Sequence, residues 1–213
     1  MDDLIAQYNE LSKEEKNALL IYKSRLGLLI NDLDNNPDFN YYYDRYKHIF
    51  SNFANSFIKM SVFYSIDFTS IDTFKKSIYQ IKDILDIATS KIETDESLTL
   101  YRTISSNDEI NGLSKGNIIS TSLSFADSKK YSVGGSNINI IEINIPPHSK
   151  VAVVPYSIKY DENKNLLTLS NDYDDEIILN SNNYQFEETN KEILDDNITL
   201  ITYDALLLEK KKT

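Results

Sequence analysis

The sequence predicts an α+β fold, with helices covering one end of a set of mostly antiparallel strands. Three observations carry this. Up to about residue 94 the apolar residues recur at steps of three and four, the period of helices laid on a core. From about residue 95 the pattern changes to short apolar runs and alternations, broken by Gly, Pro, Asn and Ser. No internal repeat and no low-complexity linker separates the two stretches. The 213 residues therefore read as a single domain, 1–213, with a helical part over 1–94 and a β-rich part over 95–213.

Ser12-Lys13-Glu14-Glu15 is a capping box, with Ser12 as N-cap and Glu15 reaching back to it. The helix it opens carries Ala18, Tyr22, Leu26, Leu29 and Leu33 on one side, and Pro37 follows its end. A second helix is expected from about Tyr41 to Met60, with Tyr42, Tyr46, Ile49, Phe53 and Phe57 along one face. That aromatic stripe reads as core packing. The third helix is the clearest: Ile71, Phe74, Ile78, Ile81, Leu85, Ala88 and Ile92 follow a Thr69/Ser70 start signal. Leu98 to Tyr101 and Asn117 to Ser122 read as the first strands, and a short helix is expected from Phe125 to Tyr131 before Gly134-Gly135. Ile138 to Ile145, stopped by Pro146-Pro147, is a strong strand. Val151 to Val154, Ile177 to Leu179, Tyr184 to Glu187 and Ile198 to Leu208 complete the set.

Composition excludes several classes of chemistry. With no cysteine there is no disulfide, no thiolate nucleophile and no Cys-ligated metal. The two histidines, His48 and His148, lack ligand-like spacing, so no metal site is expected. A net charge of −11 argues against nucleic acid or an anionic membrane surface as partner, because phosphates reward clustered Lys and Arg. The start Met-Asp-Asp-Leu-Ile-Ala has neither the basic region nor the apolar run of a signal peptide. No apolar run approaches the ~18 residues of a membrane span.

Three polar elements on three strands stand out. Arg102 follows Leu98 to Tyr101, so it is expected at the end of a buried strand. Its planar fork of donors suits a phosphate or a carboxylate, although a single Arg more often makes a structural ion pair. Ser120-Thr121-Ser122 is a hydroxyl cluster near a strand end, weak by itself. The acidic run from Asn171 to Glu176 ends against Ile177-Ile178-Leu179, so Glu176 falls where loop becomes strand. Taken alone that is a solvated acidic turn; beside the other two elements it is a carboxylate on a rigid edge.

In this order, Tyr-Arg, Ser-Thr-Ser and acid-x-Glu, the three elements resemble the Arg–Ser–Glu class of mono-ADP-ribosyltransferase toxins. That class includes the enzymatic components of clostridial binary toxins, vegetative insecticidal toxins and Rho-modifying exoenzymes. The likeness extends to Ile119 to Ser124, Ile141 to Lys150, Ile201 to Leu207 and Ala18-Leu19-x-x-Tyr22, and so covers nearly the whole chain. It implies an N-terminal helical region packed on a core of two antiparallel β-sheets. It also implies an enzyme that takes NAD as substrate, needs no metal and transfers ADP-ribose to a host protein.

Residue by residue, the resemblance gives Arg102 the NAD phosphates and makes Ser120 the holder of the catalytic carboxylate. It gives Glu176 the ribose 2′-hydroxyl and the oxocarbenium-like sugar left as nicotinamide departs. Thr121, Ser122, Tyr22 and Tyr131 are implied NAD contacts, and Asp174 is the acid that activates or orients the acceptor. Arginine-modifying members carry Glu at the Asp174 position and asparagine-modifying members Gln, so arginine is the implied acceptor. Gly134 stands where members often have an Arg, with Lys129 or Lys130 near enough to replace its charge. Actin and small GTPases are implied targets. The implied location is extracellular or the cytosol of a host cell, reached with a translocation or delivery partner. A non-catalytic docking copy of the same fold and an NAD glycohydrolase are the alternatives.

Overall fold

The first helical segment begins where side chains close its first turn. In the computed structural model, which describes residues 1–33, 37–51, 66–105, 113, 116–130, 138–160, 166–170, 176–195 and 197–208, a short α1 (Asp2–Asn9) precedes α2 (Lys13–Ile21). The Glu15 N–H donates to Ser12 Oγ at 3.2 Å and the Ser12 N–H to Glu15 Oε2 at 2.9 Å, the capping box read from the sequence. The continuous helix expected through Leu33 is interrupted. Residues Tyr22–Leu26 form a wide π turn in which Ser24 leaves the helical region (φ −73°, ψ 175°), and the chain resumes as α3 (Gly27–Asp32). Ser24 Oγ donates to the Ile21 carbonyl and accepts the Leu26 N–H, replacing helical bonds lost at the kink. Gly27 makes the kink possible, since a Cβ there would lie 2.2 Å from the Tyr22 carbonyl oxygen. Tyr22, Leu26, Leu29 and Leu33 are nevertheless buried.

The second expected helix appears as α4 (Phe39–Ser51), with Asp38 Oδ1 accepting the N–H groups of Asn40 and Tyr41. The rest of that expectation, residues 52–60, lies outside the described residues. Next comes α5 (Ile71–Ala88), started by reciprocal Ser70 and Thr73 side-chain bonds and burying Phe74, Ile78, Ile81, Leu85 and Ala88. It ends before Ile92 because that residue enters a strand, β1 (Ile92–Glu93). The rings of Tyr43 and Phe68 pack on Phe74 at 5.7 and 5.2 Å.

The remaining strands are β2 (Leu98–Ser105), β3 (Ile118–Ser122), β4 (Ile138–Ile145), β5 (Lys150–Val153), β6 (Ser157–Tyr160), β7 (Leu166–Ser170), β8 (Glu176–Asn180), β9 (Tyr184–Asp195) and β10 (Ile198–Leu207). The short helix α6 (Phe125–Lys130) follows β3. Contacts divide the chain into two units. One comprises Met1–Ile5, Thr89–Val153 and Asp174–Thr213; the other comprises Ala6–Ala88 and Val154–Tyr173. Helices α2 to α5 and the β6–β7 hairpin belong to the second, where α5 packs on α2, α3 and α4.

In the first unit, eight strands form one ladder in the order β1-β5-β8-β3-β2-β4-β10-β9. All neighbours are antiparallel except β4 and β10. In place of the two core sheets the resemblance implies, the described ladder consists of two four-stranded halves joined at one residue pair, Tyr101 opposite Ser122. On each side of that joint the pairing is extensive: β2 meets β4 over eight residues and β3 meets β8 over five. Leu100, Ile143 and Ile201 on one half, and Ile119, Ile177 and Leu179 on the other, are buried. The polar residues at the joint therefore rest on two rigid apolar platforms.

Candidate functional site

Each of the three motifs comes to this joint on its own strand. Arg102 is not at the end of β2 but in its middle, opposite Ile141 of β4, because Thr103, Ile104 and Ser105 continue the ladder. Ser120 and Ser122 lie on β3 opposite Ile178 and Glu176 of β8. Glu176 is the first residue of its strand, as its place before Ile177-Ile178-Leu179 predicts.

Ser120 ties the motifs together. Its hydroxyl donates to Glu176 Oε1. Its carbonyl accepts Arg102 Nη1–H at 3.1 Å across the opening where β2 and β3 part. One residue thus fixes both the acid and the guanidinium. All three side chains are half-buried, so the Arg102 and Glu176 charges are set in the protein but still reachable. The Arg102 Nε is buried and finds no acceptor among the described residues. A buried guanidinium nitrogen without an acceptor is costly and is aimed at a ligand oxygen more readily than at nothing.

Period-two alternation sorts the hydroxyl cluster. Thr121 faces away from Ser120 and Ser122; it is buried and its Oγ1 donates to the Ile177 carbonyl at 2.7 Å. Its hydroxyl binds β3 to β8. Ser122 shares the face of Glu176, and its Oγ accepts the Ser124 N–H at 3.0 Å, turning the chain toward α6.

Tyr22 belongs to the helical unit, where it starts the π turn and its hydroxyl accepts from Asn31 Nδ2 at 3.5 Å. Asp174, Tyr131 and Gly134 lie outside the described residues, as do the side chains of Lys129 and Lys130. Among the described residues no group of three His, Asp or Glu side chains could hold a metal, and no helix is long and apolar enough to cross a membrane.

Two contacts at the joint had not been singled out from the sequence. Tyr101 stands opposite Glu142 on β4, and Glu142 accepts from Thr202 Oγ1 of β10 at 3.3 Å. Partial burial, then the Glu142 charge, push the Tyr101 phenol above its ordinary value, so it stays a donor. A signal was present: Glu142 is the one charged residue in Ile138 to Ile145.

The fold is that of bacterial ADP-ribosyltransferase toxins. The C3 exoenzyme of Clostridium limosum superimposes with a TM-score of 0.56 at 18% identity, covering 96% of this chain and 90% of that one. The Vis toxin, an ADP-ribosyltransferase from Vibrio splendidus, gives 0.51 at 16%, with 94% and 76% covered. BECa, an ADP-ribosylating toxin of a C. perfringens binary enterotoxin solved with NADH, gives 0.52 at 12%, with 97% and 45% covered. No family model matches the sequence, and a sequence comparison with curated proteins gave no match. The likeness is one of architecture, shared by an α+β chain with a mostly antiparallel eight-stranded ladder.

Proposed function

We propose that the chain, acting as one catalytic domain, is a toxin-like mono-ADP-ribosyltransferase that transfers ADP-ribose from NAD to a host protein. The observation that carries this reading is Ser120, whose carbonyl receives Arg102 and whose hydroxyl holds Glu176. An anion-gripping group and a positioned carboxylate, both bonded to one residue, match a substrate with a diphosphate near a reactive sugar. The toxin-like fold supports it.

In the proposed reaction the bond between the ribose anomeric carbon and the nicotinamide nitrogen breaks, and its electron pair leaves with nicotinamide. The sugar becomes oxocarbenium-like, and the Glu176 carboxylate stabilises that charge while accepting from the 2′-hydroxyl. Arg102 holds the diphosphate, its buried Nε being the donor that such an oxygen would satisfy. Tyr22, Ser122 and Tyr131 would add NAD contacts, as the resemblance implies, whereas the Thr121 hydroxyl is already committed to Ile177. The acceptor then bonds to the anomeric carbon and gives up a proton to Asp174, two residues ahead of Glu176. Arginine is the favoured acceptor, since a cationic nucleophile needs a nearby carboxylate. The target would be a host protein, actin or a small GTPase in kind, reached with a delivery partner.

The test is transfer of labelled ADP-ribose from NAD to proteins of a host-cell lysate, comparing wild type with Glu176→Gln. A labelled band absent with the variant is the expected result. Free ADP-ribose without a band would make the protein an NAD glycohydrolase. No NAD turnover by folded wild type would overturn the enzyme reading.

A further inference from the structure

Arg102 reaches from β2 to β3 where the two strands barely pair: among the described residues they share one pair, Tyr101 opposite Ser122. The short helix α6 supplies a second connection. Alternation along β2 puts Tyr101 and Thr103 on one face and Arg102 on the other, and α6 lies against the first face. The Tyr101 ring stands edge-on to Phe125 at 5.5 Å, with an interplanar angle of 81°. Thr103 Oγ1 donates to the Ser128 carbonyl at 2.5 Å. The last four carbonyls of a helix have no partner within it, and Ser128 stands third from the end of α6, so Thr103 satisfies a group that the helix leaves over. At its start α6 is bound to β3. Ser122 Oγ accepts the Ser124 N–H at 3.0 Å, and Ser124 Oγ caps the helix by accepting the Asp127 N–H at 3.2 Å. The helix therefore braces β2 against β3 directly behind Arg102.

We propose that Thr103 is a positioning residue: its bond to the Ser128 carbonyl fastens α6 to β2 and so sets the opening that the Arg102 guanidinium spans to reach the Ser120 carbonyl. The proposal rests on the NAD-site reading above, in which Arg102 holds the diphosphate. Thr103 need not touch NAD for this role, since its side chain lies on the face of β2 away from Arg102. The Arg102–Ser120 bond is a single contact of 3.1 Å, and a displacement of about 1 Å at a site costs on the order of 10²-fold. The Ser120–Glu176 bond is insulated from this joint, because it links β3 to β8, which pair over five residues. Loss of the brace therefore bears on the group that grips the diphosphate more than on the carboxylate that serves the sugar.

The experiment measures nicotinamide release from NAD, resolved into kcat and KM, for wild type, Thr103→Val, Thr103→Ser, Arg102→Lys and the Thr103→Val/Arg102→Lys double variant. Val keeps the shape of Thr and removes the donor, whereas Ser keeps the donor. For Thr103→Val the expected result is a rise of ~10-fold or more in KM for NAD, the size seen when an orienting partner is lost, with kcat within about threefold of wild type. Thr103→Ser should stay within about threefold in both constants, because its hydroxyl can still donate. In the Arg102→Lys background Thr103→Val should raise KM less than about threefold further, since the group it positions is already altered. An unchanged KM in Thr103→Val would overturn the proposal and leave the NAD reading standing. So would a fall in kcat alone, which marks lost folded protein, a Ser variant as impaired as Val, or the full rise in KM repeated in the Arg102→Lys background. Thr103→Ala is read in the same way if the Val variant does not fold. A folded wild type that releases no nicotinamide would overturn the NAD reading, and the positioning role with it.

Discussion

Ser120 has two polar groups and each has a defined partner: the carbonyl takes Arg102 and the hydroxyl reaches Glu176. Ser120→Ala removes only the second. Nicotinamide release is expected to fall ~10–100-fold with little change in melting temperature, the size of loss typical for an orienting hydrogen bond; an unchanged rate would mean that Glu176 holds its position unaided. Arg102→Lys is not conservative here, because an ammonium cannot span the Ser120 carbonyl and a diphosphate as a guanidinium fork does. KM for NAD is expected to rise by about tenfold or more, corresponding to roughly 1.4 kcal/mol of lost binding, as measured by steady-state kinetics. At this scale the sequence was legible in the placement of residues. Arg102, Ser120 and Glu176 were identifiable because their order and flanking apolar runs limited where they could sit. Thr121 shows where pattern matching overreached: alternation along a strand already put it on the opposite face from Ser120 and Ser122.

At the scale of elements, local signals were reliable where side chains act on their own backbone. The Ser12/Glu15 capping box formed as read, and the Thr69/Ser70 start signal takes the form of reciprocal Ser70 and Thr73 bonds. The π turn at Tyr22–Leu26 was not legible, because Tyr22, Leu26, Leu29 and Leu33 keep a spacing that an unbroken helix would satisfy equally well. What forces the break is the approach of the Gly27 backbone to the Tyr22 carbonyl, a tertiary fact. Gly27→Ala places a methyl 2.2 Å from that oxygen; the expected cost is ~1–3 kcal/mol, the usual range for overpacking, measurable by urea denaturation. A neutral result would mean the kink relaxes to accommodate the methyl. The extent of β9 was underestimated for a related reason. Glu187 to Asp195 has poor strand propensity, and only pairing with β10 holds it extended. The β6–β7 hairpin went unread because its two strands are short and polar residues surround them.

Across the whole molecule, order of elements predicted the α+β class, and the structure adds how the eight strands are joined. A joint of one residue pair among the described residues could not be read from strand patterns, since register across β2 and β3 depends on how both halves pack. Among the described residues one edge of the ladder is β9, where exposed Ile193 and Leu194 are flanked by Glu187, Glu192 and Asp195. Charges on an open edge discourage strand-to-strand association. Glu187→Thr combined with Glu192→Thr is expected to shift the protein toward dimers or aggregates in size-exclusion chromatography, whereas an unchanged elution would assign the protection elsewhere. At the other end of the ladder, Lys150 and then His148 hydrogen-bond Glu93 and hold its carboxyl below its ordinary value of 4.5. A depressed carboxylate contributes stability that is present above 4.5 and is lost as pH falls through the lower folded value. Glu93 is more than a third exposed, so solvent screening limits the contribution to at most about 1 kcal/mol. The gap in melting temperature between wild type and Glu93→Gln is expected at neutral pH and should close in acid.

The most direct measurement is nicotinamide release from NAD by the purified protein, wild type against Glu176→Gln, with both shown to be folded. The account predicts turnover by wild type and a loss of ~10²–10⁴-fold in the variant, the contribution usual for a positioned catalytic carboxylate. Equal rates in the two proteins, or none in either, would contradict it.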